Sequence, residues 1–194
     1  MISSWLAPSV TICAVIIAAL LTYYNNSRLH VTQERLKWIN AQLGDFYGPL
    51  YSISEASGVA WIEFNRQIDT LDRASWNFEF TDIERREWIY WMSNVFMPAN
   101  RRMYEIIVSR SHLLVGDKMP EVLSEFCAHT STYEVIVNKW RQGDEVVIIS
   151  KIAFPVDFRE YISTTFLSLK RQQQELLRRV EPGRKQRFRP RRKT

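Results

Sequence analysis

Apolar residues fill the chain from Trp5 to Tyr24 and then give way to periodic stripes for most of its remaining length. The first stretch, WLAPSVTICAVIIAALLTYY, carries no charge and is about 20 residues long, enough to cross ~30 Å of hydrocarbon as a helix. Trp5 stands at one end and Tyr23 and Tyr24 at the other, where amphipathic rings favour the two membrane interfaces. Pro8 falls in the first turn, where a missing N–H costs least. The pattern predicts a transmembrane helix over residues 5–24, with residues 1–4 as a short extracytoplasmic terminus. A cleaved signal peptide fits poorly, because MISS has no Lys or Arg and LLTYYNN is a poor cleavage site. A soluble core helix would show a polar face, whereas only Ser9, Thr11 and Thr22 are polar here.

Beyond residue 24 the spacing is helical. Leu29, Leu36, Ile39, Leu43 and Phe46 predict a stalk helix over 28–46. Gly48-Pro49 predicts a turn, with Pro49 opening a second helix whose face carries Ile53, Ser57, Ala60, Trp61, Phe64, Ile68 and Leu71. Residues 73–80 form an aromatic linker. Thr81 and Glu84 are spaced as a capping box for a third helix with the stripe Trp88, Trp91, Met92, Val95, Phe96. Pro98 is expected to break or kink it. A fourth helix is expected over 99–115, with Met103, Ile106, Ile107, Leu113 and Leu114 inward. A fifth is expected over 120–141, with Val122, Phe126, His129, Tyr133, Ile136, Val137 and Trp140 inward. The run EVVIISKIAF at 145–154 is β-branched but has no partner strand, which makes it a packed connector. A last helix is expected over 156–179. The fold class is therefore all-α: a single N-terminal transmembrane helix followed by an antiparallel bundle of about six helices.

Charge adds an orientation. No Lys or Arg precedes the apolar run, while Arg28, Arg35 and Lys37 follow it closely, so the positive-inside bias places the N-terminus outside and the domain in the cytoplasm of a single-pass inner-membrane protein. Cys13 lies in the span and Cys127 stands alone in the domain, a usage that suits a reducing compartment. Residues 178–194 hold nine Lys or Arg against the one acid Glu181, a surplus of eight in a chain whose total is +5, so residues 1–177 are net acidic. The cytoplasmic domain is thus 25–181, and 182–194 is a basic tail expected to be disordered. Arg184, Lys185, Arg187, Arg189, Arg191, Arg192 and Lys193 of that tail are expected to contact anionic lipid, with nucleic acid as the rival polyanion for the tail alone.

The sequence holds no complete catalytic or metal motif. Glu125 and His129 are four apart on one helix face, but two ligands do not make a zinc site, and HExxH, CxxC and glycine-rich phosphate loops are absent. His129 sits in an apolar stripe and reads as a packed histidine with one hydrogen-bonded nitrogen. Arg110 falls among inward residues and is expected either to pair with Glu125 or Glu63, since a buried guanidinium needs a partner, or to sit at a rim position where its stem snorkels. Arg110, Glu125 and His129 are the candidates for a polar site. Cys127, mid-helix in EFCAH, reads as a small core hydrophobe rather than a nucleophile. No cofactor is expected. The favoured function is a membrane-tethered interaction or regulatory module, with a protein partner or a second copy bound through its helical surfaces. The alternatives are a self-associating effector that perturbs the bilayer, packing through Ala14, Ala18 and Ala19, and an enzyme acting at the membrane surface.

Overall fold

The computed structural model describes residues 6–68, 81–146 and 149–180, with side chains from Ala14 onward except that of Ile68. Trp5, the linker 73–80 and the tail residues Arg184, Lys185, Arg187, Arg189, Arg191, Arg192 and Lys193 lie outside the described residues. The fold is all-helical, with no strand among the described residues. The α-helices are α1 (Leu6–Ala41), α2 (Gly48–Ile68), α3 (Asp82–Trp91), α4 (Met97–Ser109), α5 (Glu121–Arg141) and α6 (Phe158–Val180).

Two prolines that read as breaks in the sequence are accommodated differently. A π-helical segment, Gln42–Tyr47, leads into α2 at Gly48-Pro49, and a second, Met92–Phe96, joins α3 to α4 ahead of Pro98. In both, the residue just before the proline donates its N–H five residues back, Gly48 to Leu43 O and Met97 to Met92 O. Proline has no N–H to offer and crowds the carbonyl four residues earlier, so a wider turn absorbs the defect without a break. Counted through these segments, the described residues form four helical runs rather than six separate helices. The capping box at α3 is formed: Glu84 N–H donates to Thr81 Oγ1, and Thr81 N–H donates to the Glu84 carboxylate.

The chain divides into two compact units, Ala41–Lys170 and Met1–Asn40 with Arg171–Thr194. In the larger unit α4 packs on α2 and α5. Its core joins Phe64 of α2, Trp88 of α3, Met92 and Phe96 of the second π segment, Met97, and Tyr133, Ile136, Val137 and Trp140 of α5. The first π segment is tied in by two polar contacts: Gln42 donates to Leu113 O at 3.0 Å, and Tyr47 Oη accepts from Val115 N–H at 3.1 Å. Burial raises the Tyr47 pKa far above the phenol range.

In the smaller unit Gln173 donates to Asn40 Oδ1 at 2.7 Å, and the Arg28 guanidinium lies 4.6 Å from the centre of the Tyr24 ring. Among the described residues no helix is long and apolar enough to cross a membrane. The α1 side chains are described from Ala14, and the apolar stretch from there to Tyr24 is about half the ~20 residues a span needs.

Candidate functional site

The larger unit contains a cavity of about 380 Å³. Its wall is built from five helices and the connector that precedes α6. Ser57, Gly58 and Trp61 come from α2, Asn100 and Met103 from α4, and His129 and Tyr133 from α5. Ile149, Phe154 and Val156 of the connector close one side, with Phe158 and Arg159 at the start of α6. Trp88 comes from α3, and Met92 and Phe96 from the π segment that follows it.

The second π segment explains a spacing that a plain α-helix does not permit. Trp88, Met92, Phe96 and Asn100 recur every four residues, and all four line the cavity. In an α-helix each step of four overshoots a turn by ~40°, so the fourth residue would stand about 120° round from the first. The wider π turn takes up the excess and returns the row to one wall. The rings meet edge-on: Trp61 and Trp88 have centroids 6.1 Å apart at 82°, and Trp61 and Phe96 are 5.7 Å apart at 65°. Such geometry suits ring quadrupoles.

Polar groups are few and individually placed. His129 is 5% exposed, and its Nδ1 donates to Ile152 O at 2.8 Å. A neutral ring that donates through Nδ1 carries its lone pair on Nε2. Burial lowers the His129 pKa below its ordinary 6.5, and the Ile152 and Ala153 backbone offsets part of that. Burial likewise pushes the neighbouring Tyr133 hydroxyl up to about 12, with the Ser150 backbone pulling the other way. Ile152 N–H in turn donates to Ser150 Oγ at 3.0 Å, a bond within the connector itself. Arg159 is held by a two-pronged pair with Glu55, Nε to Oε1 at 2.8 Å and Nη2 to Oε2 at 2.6 Å. That bond holds the Glu55 carboxyl below its usual range. The guanidinium lies on Gly58, where a Cβ would stand 2.8 Å from Nη1. Asn100 is 5% exposed and lines the cavity.

The polar candidates of the sequence are not gathered. His129 lines the cavity, and neither Arg110 nor Glu125 does. Arg110 is not buried and does not pair with Glu125 or Glu63. It is exposed, its Nη1 2.9 Å from Asp45 Oδ1 and donating to Asp45 O at 3.1 Å. The helix α4 ends at Ser109, and Arg110 has φ −124° and ψ 26°, so the helical spacing that put it inward no longer applies there. Glu125 is exposed on α5. Among the described residues no three His, Cys, Asp or Glu side chains are grouped to hold a metal ion. Cys127 is half-buried, and burial raises its thiol pKa, which leaves less thiolate for attack.

Asn100 and the cavity were missed from sequence. The available signal was a polar residue between Met97 and Met103, three from each, on an otherwise apolar face. No known family model, curated protein or solved structure matches the chain.

Proposed function

We propose that this chain is a helical interaction module tethered to a membrane by a single pass of its N-terminal helix, with residues 28–194 in the cytoplasm. The observation that carries this reading is the bare apolar girdle of α1. Val15, Ile16, Ile17, Leu20 and Leu21 are each 52–63% exposed. They point to successive sides of the helix, so no single groove covers them. Exposed aliphatic surface costs about 25 cal/mol per Å² in water, and hydrocarbon covers a helix from every side without a complementary shape. Tyr23 and Tyr24, both exposed, follow at the level where tyrosines favour the interface, and Arg28 comes next. The basic tail supports the same placement, because anionic lipid attracts each Lys or Arg near the surface by roughly 1 kcal/mol.

Alkaline carbonate extraction of membranes, combined with reporter fusions after Thr194, tests the proposal. A chain that stays in the pellet and carries a fluorescent C-terminal fusion fits it. Release into the supernatant, or an active alkaline-phosphatase fusion at the C-terminus, refutes the tether or its orientation.

A further inference from the structure

We propose that the cavity between α2, α4, α5 and the connector is a binding site for a small, uncharged aromatic molecule that carries a hydrogen-bonding group on one edge. The volume of about 380 Å³ lies in the range of small-molecule pockets. The walls are rings and thioethers, Trp61, Trp88, Phe96, Phe154, Met92 and Met103, which favour a flat aromatic guest through edge-to-face and sulfur–ring contacts.

The polar groups choose the guest's edge. Asn100 is 5% exposed and lines the cavity, so a guest that covers its amide without offering a hydrogen-bonding partner takes it out of water at a cost. An amide offers both a donor and an acceptor, so a hydroxyl or ring N–H on the guest satisfies it. His129, whose Nδ1 is committed to Ile152, adds an acceptor in Nε2. Among the described residues the one charged side chain on the wall, Arg159, is already paired with Glu55, so an ionised guest gains no free countercharge there. A simple hydrocarbon or acyl chain would displace water from the Asn100 amide and offer no hydrogen bond in return.

The test uses the full chain in detergent and two probes of the same shape, 2-naphthol and naphthalene, with binding followed by quenching of tryptophan emission. Saturable binding of 2-naphthol about tenfold tighter than naphthalene is expected, because a site built around a buried polar group rejects the analogue that lacks the partner. Asn100→Leu should erase the preference without lowering the melting temperature. Ser57→Phe, which fills the cavity from α2, should abolish binding of both probes. If Ser57→Phe does not fold, the Asn100→Leu comparison decides alone. The inference is overturned by quenching that does not saturate, by binding unchanged in a folded Ser57→Phe, by a preference that survives Asn100→Leu, or by an Asn100→Leu chain that melts lower or fails to fold. That last outcome would make Asn100 a structural group.

Discussion

His129 Nδ1 donates to the Ile152 carbonyl at 2.8 Å, and this bond fastens the connector before α6 to the inner face of α5. The ring also packs against Tyr133, 4.8 Å between centroids, and edge-on to Phe154 at 5.5 Å. His129→Ala removes that packing and leaves a carbonyl without its donor. The expected cost is about 1–3 kcal/mol in chemical denaturation. Hydrogen exchange should quicken first in residues 149–154. Unchanged stability with a lost activity or bound metal would assign His129 to chemistry instead.

Acid should weaken the fold through the same ring. Burial lowers the His129 pKa in the folded chain, so on acidification the unfolded chain takes up the proton first. The stability that neutral His129 contributes is fully present above about pH 6.5, its unfolded value, and is lost as pH falls below that toward the folded value. Arg159 lines the same cavity, but its charge is paired with Glu55. Melting temperatures measured between about pH 7.5 and about pH 5.5 should fall, and His129→Gln should fall less. Equal slopes would place the acid sensitivity elsewhere.

Two glycines in and beside the first π segment should respond oppositely to alanine. A Cβ at Gly48 would overlap the Leu43 carbonyl oxygen, which accepts the Gly48 N–H. Gly48→Ala should therefore cost about 2–3 kcal/mol. A Cβ at Gly44 meets nothing within 4 Å. Gly44→Ala should gain about 0.5–1 kcal/mol by restricting the unfolded chain. Urea titration of both variants checks the pair. A stable Gly48→Ala would mean that the π turn relaxes to accept a side chain.

The tail should bring the rest of the chain to anionic lipid. A chain of residues 28–194 is expected to co-sediment with vesicles containing phosphatidylserine at low salt and to release as salt rises, since attraction fades within a Debye length of about 8 Å at physiological ionic strength. Deleting residues 182–194 should abolish the co-sedimentation. Binding that survives the deletion would assign the contact to the folded part, and displacement by duplex DNA at equal charge would favour nucleic acid.

Helical periodicity carried most of the fold. On α5, Phe126, His129, Tyr133, Ile136, Val137 and Trp140 are all buried, as a 3.6-residue stripe requires. The Thr81–Glu84 box was legible because its two hydrogen bonds are local. What failed was extrapolation across a change of pitch. Pro49 and Pro98 read as breaks because sequence spacing does not reveal a π turn, and Arg110 read as inward because the helix was carried past Ser109. The cavity was not legible either. It is made where five helices and an irregular connector meet, and those distances are set by tertiary packing, which no single stripe records.

The second π segment makes the cavity wall depend on a residue count. One residue corresponds to about 100° of rotation in an α-helix, so deleting the exposed Asn94 would convert the wide turn to a regular one and leave α3 and α4 in phase within about 20°, whereas one further residue inserted there would swing them about 100° apart. After such an insertion Trp88 and Asn100 could no longer face the same space, although every side chain on the wall would still be present. The segment is in effect a one-residue insertion held in place by Pro98. In this part of the chain the turn tolerates the loss of one residue but not the gain of another, and chain length here is as much a determinant of what the cavity accepts as the identity of its lining.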